Sequence, residues 1–260
     1  YKKDGTADLN SMPISQYPLR VHFKGLVNEF DNINLLSKKW ISSQDFLNLD
    51  NKIKFYKTHH VMCNFGKNSF TNYQNTFGVI YIVRDPRNVI TSILNYYSKK
   101  NYEEAKEFLF DEGRIIGVDL SKKYEYENDN NIITLISSWK THYNSWKNFK
   151  KNYLLIKYED LMTNPKKKFK EIAKYLSKLL QIKIEDMDVE EAILKSSFQN
   201  LKKSEEKFGF DEAPTDDITN KKKRFFNLGP DNDWEKNLPN NIRKKIEDNF
   251  SAEMEELNYL

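Results

Sequence analysis

The sequence predicts an α/β fold: a single domain, residues 1–260, with a central parallel sheet flanked by helices. Three observations support it: the chain length, an alternation of strand and helix patterns, and one strand that is apolar at every position. A chain of 260 residues can bury a sizeable core. Strands that alternate with amphipathic helices are typical of parallel βαβ units. A continuously apolar strand is typical of a parallel sheet covered on both faces.

That apolar strand, Val79–Val83, leads into a segment with the features of an anion site. Asp85 suits the N-cap of the next helix and Pro86 its first position. Free backbone N–H groups and the helix dipole favour a phosphate or sulfate at such an N-terminus. Arg84 lies at the carboxyl end of the strand, where open α/β sheets bind ligands. Ser92, two helical turns along, can offer its hydroxyl to the same anion.

The remaining elements follow from periodicity and from turn residues. Short strands are predicted at Lys52–Lys57 and Tyr153–Lys157. Apolar residues at helical spacing predict a long helix from Ile132 to Trp146, and the charged stretch Lys202–Arg224 is predicted to be a long loop. Further helices are predicted at Tyr102–Phe110, from Pro165, at Asp188–Leu194 and from about Asn240.

Composition limits the classes of partner. The net charge of +4, from 42 basic and 38 acidic residues, is compatible with an anionic small molecule and too weak to indicate nucleic acid. Cys63 is the only cysteine, which favours a reducing compartment and predicts a cytoplasmic protein. No apolar run approaches the length of a membrane span, so no membrane partner is expected.

Lys57-Thr58-His59 follows the first predicted strand. A histidine at the carboxyl end of a strand can act as a general base near neutral pH, and an adjacent lysine can offset developing negative charge. Taken alone, a histidine in this place more often hydrogen-bonds a loop. His60 supplies a second imidazole next to the first.

Four further segments follow along the chain, of which the one from Tyr158 to Pro165 is fairly specific and the Ser-Ser-Phe triplet by itself has almost no specificity. In the segment from Ser138 to His142, Trp139 is predicted to be core, as is Trp146, which follows the segment. His142 suits core and pocket wall equally. The segments are Ser138-Trp139-Lys140-Thr141-His142, Tyr158-Glu159-Asp160-Leu161 with Asn164-Pro165, Ser196-Ser197-Phe198, and Asn227-Leu228-Gly229 with Asp233-Trp234.

In this order, from Lys57 to Trp234, the segments resemble those of sulfotransferases that use 3′-phosphoadenosine 5′-phosphosulfate (PAPS). The resemblance implies a fold related to P-loop kinases and sulfuryl transfer from PAPS to an acceptor hydroxyl or amine, leaving 3′-phosphoadenosine 5′-phosphate (PAP). It implies His59 as the base and Lys57 as charge stabiliser, with His60 and His142 at the acceptor pocket. The nucleotide-binding residues that it implies are Arg84, Ser92, Tyr158, Ser196, Ser197, Phe198, Asn227, Leu228 and Gly229.

Two departures from the family pattern bear on this expectation. Asn227 and Leu228 replace an Arg-Lys pair, which removes two phosphate-binding cations, although Lys221–Arg224 lie just upstream. The family's phosphosulfate-binding loop, with its Pro-Lys-Ser/Thr-Gly core, is not seen; Lys2–Thr6 is the nearest segment by composition. Truncation and a natural variant both explain its absence. The start at Tyr1 favours truncation, in which case this chain is expected to transfer sulfate poorly.

The resemblance also sets expectations for ligands and partners. No metal is expected, and the acceptor is expected to be a small molecule or a carbohydrate. A homodimer is compatible with the family, but Glu235–Glu247 does not clearly match its short dimer motif, so the oligomeric state stays open. Three rival functions remain. They are nucleotide binding without catalysis, a related P-loop kinase, for which no Gly-Lys-Ser/Thr segment is visible, and polyanion binding through the clusters at Lys166 and Lys221.

Overall fold

The computed structural model describes residues 9–11, 14–117, 130–216, 219 and 221–260, so Lys2–Thr6 lie outside the described residues. Within these ranges the chain mixes strands and helices, as predicted. The strands are β1 (Ser15–Gln16), β2 (Tyr56–Lys57), β3 (Asn64–Phe65), β4 (Asn68–Ser69), β5 (Val79–Val83), β6 (Ile115–Ile116), β7 (Thr134–Leu135) and β8 (Tyr153–Lys157).

The helices follow the strands along the chain. The α-helices are α1 (Ile33–Ser37), α2 (Trp40–Leu47), α3 (Pro86–Tyr96), α4 (Tyr102–Phe110), α5 (Trp139–Lys147), α6 (Tyr158–Thr163), α7 (Pro165–Leu180), α8 (Asp186–Lys195), α9 (Phe198–Phe208), α10 (Trp234–Asn237) and α11 (Asn240–Glu256). Short 3-10 turns lie at Leu9–Ser11, Arg20–Phe23 and Gly229–Asp231.

The described strands pair two by two. β1 and β2 run parallel, β3 with β4 and β6 with β7 run antiparallel, and β5 pairs with β8. The chain divides into two compact units: the first contains the described residues of 1–12, 80–109 and 154–260, and the second those of 13–79 and 110–153. That all 260 residues form one domain stays a prediction.

The first unit is built around α3 and α11, which pack against each other. Along α11 an apolar residue recurs every three or four positions, so that one face of the helix is buried. Ile246, Phe250 and Met254 on that face are fully buried, as is Ile90 of α3. Burying side chains of this size contributes about 1.5–3 kcal/mol each. This packing holds the helix that follows Arg84.

An aromatic core organises the second unit. Trp40, Phe70 and Tyr143 are at most 2% exposed, and Trp40 and Phe70 meet edge to face at 5.5 Å. Trp146 is 5% exposed and donates from Nε1 to the carbonyl of His60 at 2.9 Å. Trp146 is therefore core, as predicted.

Local signals predicted several boundaries correctly, and tertiary context overturned others. β5, α4 and β8 match their predicted bounds, and α7 begins at Pro165. The long helix from Ile132 was wrong in its first part, since Thr134–Leu135 pairs with Ile115–Ile116 and the helix begins only at Trp139. The loop at Lys202–Arg224 was wrong over the residues that α9 covers. Ile82 is 57% exposed, so β5 is not covered at that position.

Candidate nucleotide site and histidine cluster

In the first unit, the turn between β5 and α3 forms as the sequence predicted. The Asp85 carboxylate accepts the backbone N–H of Arg87 at 2.8 Å, and Pro86 occupies the first helical position. Arg84 directly precedes this cap. Its guanidinium lies 4.3 Å from the centroid of the Tyr158 ring and donates to the Gly229 carbonyl at 3.5 Å. Three segments far apart in sequence therefore meet around one cation.

A cavity of about 610 Å³ opens beside this cation within the first unit. Its volume lies in the range usual for small-molecule sites. All nine side chains or backbone positions that the sequence assigned to nucleotide binding line it: Arg84, Ser92, Tyr158, Ser196, Ser197, Phe198, Asn227, Leu228 and Gly229.

The cavity also contains lining residues that sequence reasoning missed. Thr91, Asn95 and Tyr96 are residues of α3 near Ser92, and helical spacing from Ser92 could have indicated Asn95 and Tyr96. Thr91 Oγ1 and Asn232 Oδ1 are buried and lack a hydrogen-bond partner within the described residues. Because buried polar atoms are nearly always hydrogen-bonded, a ligand or an ordered water is expected to satisfy them.

An aromatic wall closes one side of the cavity. Phe198 and Phe226 meet edge to face at 6.1 Å, and Phe225 also lines the space. The Glu205 carboxylate, only 9% exposed as a residue, accepts the backbone N–H groups of Phe225 at 2.6 Å and Phe226 at 2.9 Å. This contact fixes the backbone that carries the two rings, and flat rings of this kind suit the face of a nucleobase.

Gly229 is required where the chain passes the aromatic wall. Its φ is +55°, and a Cβ at this position would lie 2.2 Å from Cε2 of Phe198. Both the left-handed backbone and the close approach disfavour a side chain. The glycine of the predicted segment therefore brings its backbone against the Phe198 ring.

The side chains of the basic run Lys221–Arg224, which lies next to the lost Arg-Lys pair, have different surroundings in the structure. Lys222 Nζ donates to the carbonyls of Asp211 at 3.1 Å and Ala213 at 2.7 Å. Lys223 Nζ donates to Ser98 Oγ at 2.8 Å. Arg224 alone in this run lines the cavity.

In the second unit, β2 ends at Lys57, and the segment that follows carries His59 on the surface. The backbone carbonyl of His59 lies 3.2 Å from Nε2 of His142. Burial lowers the pKa of His142 to about 4, and the charge of His59 acts in the same direction. His142 is therefore neutral at physiological pH. Within this unit the structure brings His59 and His142 together, and Lys57 lies two residues before His59 in the sequence.

Glu112 supports the helix that presents His142. Its carboxylate accepts the hydroxyls of Ser137, Ser138 and Thr141 at the N-terminus of α5. Burial raises the pKa of Glu112, but the three hydroxyl donors outweigh burial and leave the pKa below its ordinary value. The negative charge of the Glu112 carboxylate therefore lies at the N-terminus of α5, where the helix dipole makes it favourable.

His60 lies apart from this neighbourhood, in the aromatic core of the second unit. Its ring is fully buried and stacks on Phe70 with centroids 4.0 Å apart, and Nδ1 lies 2.7 Å from the Val61 carbonyl. Burial lowers the pKa of His60 to about 4. The side chain does not reach the surface, so the expected role at the acceptor pocket does not fit its position.

Two further features of the described residues concern metals and membranes. No three His, Cys, Asp or Glu side chains in the part of the chain that the structure describes gather closely enough to hold a metal ion. No described helix has both the length and the apolar character that crossing a membrane requires.

Comparison with known proteins identifies the family. The family model for the sulfotransferase domain matches residues 16–258. A 3-beta-hydroxysteroid sulfotransferase of Cavia porcellus is 26% identical over 200 residues, which cover 75% of this chain and 62% of that protein. A 3-alpha-hydroxysteroid sulfotransferase of the same species is 29% identical over 155 residues, covering 58% and 47%. The chain thus spans about half to three fifths of the length of these curated relatives.

Solved structures agree with this assignment. Mouse sulfotransferase SULT7A1 complexed with PAP has a TM-score of 0.55 at 20% identity, over 82% of this chain and 71% of that one. Retinol dehydratase in a complex with retinol and PAP has a TM-score of 0.52 at 16% identity, over 95% and 64%. At such identities the likeness shows the fold alone, which confirms the predicted α/β class. Together with the family match over residues 16–258, it establishes that the chain belongs to the sulfotransferase domain family.

Proposed function

We propose that this protein binds PAPS and PAP in the cavity of its first unit and transfers the sulfuryl group of PAPS to an acceptor hydroxyl or amine. One observation carries the proposal: nine residues that motif order assigned to the nucleotide line a single cavity, although they come from four separate segments. Family membership supports the reaction class.

The residues of the cavity fit such a nucleotide in part. Arg84 supplies a cation to the cavity directly before the N-terminus of α3. The first backbone N–H groups of this helix bond to Asp85, so the phosphate contact is assigned to the Arg84 side chain. Phe198 and its aromatic neighbours offer flat surfaces for a base. In this proposal Arg84 and Ser92 hold the 3′-phosphate, and Tyr158, Ser196, Ser197 and Phe198 hold the adenine. Asn227 and Leu228 contribute backbone and shape but no charge.

The proposed chemistry needs a base and a cation in addition to the nucleotide. When bound, PAPS supplies the sulfuryl group together with its phosphate leaving group. His59, exposed at the end of β2, takes the proton of the acceptor, and Lys57 offsets negative charge that develops during transfer. His142 is proposed to border the acceptor pocket as a neutral imidazole. No metal has a role in this scheme.

The acceptor is proposed only as a chemical class. The relatives are named for hydroxysteroids, which supports a small molecule with a hydroxyl group. A carbohydrate hydroxyl and an amine remain within the proposal because the same base serves all three. A cytoplasmic location and a homodimer stay predictions from the sequence.

Calorimetric titration with PAP tests the nucleotide site, with adenosine 5′-monophosphate and ATP as competing ligands. We expect PAP to bind most tightly, and we expect Arg84→Ala to weaken it by about ten- to a hundredfold, as for loss of charge-assisted hydrogen bonds. Lys183→Ala, which removes a charge from an 82% exposed side chain, is the matched control and should change nothing. PAP binding no tighter than adenosine 5′-monophosphate, or indifferent to Arg84→Ala, would contradict the proposal.

A second candidate is nucleotide binding without catalysis. The replacement of the family's Arg-Lys pair by Asn227 and Leu228 favours it, since fewer cations are available to a transferring group. It predicts that PAP binds normally while PAPS is not turned over with any of a panel of hydroxyl and amine acceptors. Turnover with one acceptor would exclude this candidate.

A further inference from the structure

A buried arginine that does not line the cavity joins the first turn of α3 to the end of the chain. The Arg87 side chain is 7% exposed. Its Nε and Nη2 donate to the Asp85 carboxylate at 3.0 and 2.7 Å, and its Nη1 donates to Glu247 Oε1 at 2.7 Å. Nη2 also donates to the backbone carbonyl of Tyr259 at 2.7 Å, and the guanidinium lies 3.8 Å from the centroid of the Trp234 ring.

A second set of contacts joins the same C-terminal residues to the segment after β8. Glu159 Oε1 accepts the backbone N–H of Asp85 at 3.0 Å, and Oε2 accepts the hydroxyl of Tyr259 at 2.8 Å. Lys157 Nζ donates to the Leu257 carbonyl at 2.6 Å and lies 4.3 Å from the centroid of the Tyr259 ring. Burial, and then the charge of Glu159, raise the pKa of Tyr259, so its hydroxyl stays a donor.

These contacts involve the sequence neighbours of two side chains that line the nucleotide cavity. Arg84 directly precedes Asp85, and Tyr158 lies between Lys157 and Glu159. The guanidinium of Arg84 packs on the ring of Tyr158 at 4.3 Å. The backbone next to both residues is therefore tied, through charged hydrogen bonds, to the last residues of the chain.

We propose that Leu257–Tyr259 act as a latch that sets the position of Arg84 and Tyr158, with Arg87, Glu159 and Tyr259 as positioning residues. The inference rests on the proposed nucleotide site and adds to it the part of the chain that controls its geometry. Leu257 anchors the latch because it is only 3% exposed. A charge network that is buried at Asp85 and Arg87 costs free energy to desolvate, so it specifies geometry more than it adds stability.

Hydrogen exchange tests the latch without any nucleotide. Tyr259→Phe removes one hydroxyl from Glu159 and leaves the ring in place, so the fold is expected to survive. A hydrogen bond to a charged group is worth roughly a tenfold change in an opening equilibrium. We therefore expect the amide of Asp85, and the peptide from 84 to 92, to exchange about tenfold faster. Tyr73→Phe, at a 49% exposed ring of the second unit, is the control. Unchanged exchange at Asp85 would overturn the proposal.

Affinity then separates positioning from general stabilisation. In calorimetry with PAP and adenosine 5′-monophosphate, Tyr259→Phe and Arg87→Lys should weaken PAP by about five- to tenfold. They should weaken adenosine 5′-monophosphate less, because it shares the adenine contact of Tyr158 but has no 3′-phosphate for Arg84. Arg87→Lys keeps the charge and loses the bidentate fork. Equal weakening of both nucleotides, or of neither, would overturn the latch. A wild-type chain that fails to bind PAP would count against the proposed function, while the exchange result would still decide the latch.

Discussion

The nucleotide cavity of the first unit and the histidine cluster of the second, which consists of His59 and His142, differ in how the fold holds their functional side chains. Arg84 emerges between Val83 and Asp85, which are 2% and 4% exposed, and it packs on Tyr158. His59 lies on an exposed segment between β2 and β3, where its backbone carbonyl contacts His142. The first arrangement is suited to bind a ligand by itself, whereas the second presents a group to whatever binds beside it. Binding and turnover are therefore best tested separately.

The largest expected effect comes from His59→Ala in a form of the protein that turns over PAPS. Removing a general base costs about 10²–10⁴-fold in rate. The affinity for PAP should stay within about twofold, because the nucleotide residues lie in the first unit. Single-turnover rates and calorimetry measure the two quantities.

Asn64→Ala, at an exposed residue of β3, controls for disturbance of the surrounding segment and should leave the rate unchanged. Turnover that persists in His59→Ala would exclude His59 as the base. A parallel loss of PAP affinity would mean that the contrast between a binding region and a catalytic region is wrong.

The next prediction concerns the buried His60, which is expected to affect stability, in contrast to the exposed His59, which is proposed to act in turnover. With a pKa of about 4 in the folded state and 6.5 unperturbed, the buried His60 ring is neutral, and the unfolded chain takes up the proton first as the pH falls. The contribution of the neutral His60 ring to the free energy of unfolding should therefore be fully present above pH 6.5 and be lost as the pH falls from 6.5 to 4. The loss at pH 5 is about 2 kcal/mol.

Urea denaturation at pH 7.5 and pH 5 measures this loss. In His60→Phe, whose ring can keep the stacking on Phe70 but cannot titrate, the difference in unfolding free energy between the two pH values should shrink by about 2 kcal/mol. An undiminished difference would assign the pH dependence to other groups.

Sequence reasoning succeeded where the determinants are local. Asp85 and Pro86 define the start of α3, and an unbroken apolar run defines β5. It failed where the partner is distant in sequence. Thr134–Leu135 is a strand because Ile115–Ile116 pairs with it. The residues from Lys202 to Phe208 are helical in α9, where Glu205 accepts two amides from residues 20 positions or more away.

The same rule applies to the candidate site. The order of the motifs predicted nine lining residues, since each motif has its own local pattern. Asn232 could not be assigned from pattern, and Arg224 could not be distinguished from the rest of Lys221–Arg224, because their place in the wall depends on how the chain returns to α3. The Asn232 amide, for example, donates to the Asn88 carbonyl at 3.0 Å.

Gly229→Ala tests how much the aromatic wall of the cavity contributes to nucleotide binding. The new methyl group would meet the Phe198 ring and would strain a backbone with φ of +55°. We expect about a tenfold loss of PAP affinity, since a shift of roughly 1–2 kcal/mol is a factor of ten. Gly209→Ala is the matched control, because Gly209 also has a positive φ, +74°, but its Cβ would meet nothing within 4 Å. Equal losses in both variants would mean that backbone strain, and not the aromatic wall, is responsible.

The smallest effect is expected for Arg224→Ala. This variant tests whether Arg224 supplies the positive charge that is lost where Asn227 and Leu228 replace the family's Arg-Lys pair. Arg224 lines the cavity, but its side chain is 62% exposed and lies 3.3 Å from Glu206, so solvent screens its charge. We expect about a threefold loss of PAP affinity at low salt that disappears at high salt. Lys221→Ala removes the same charge from the same basic run at a residue that does not line the cavity. If the two variants weaken PAP equally, the run acts only through its overall charge, and Arg84 is the cation on which the affinity of the first unit depends.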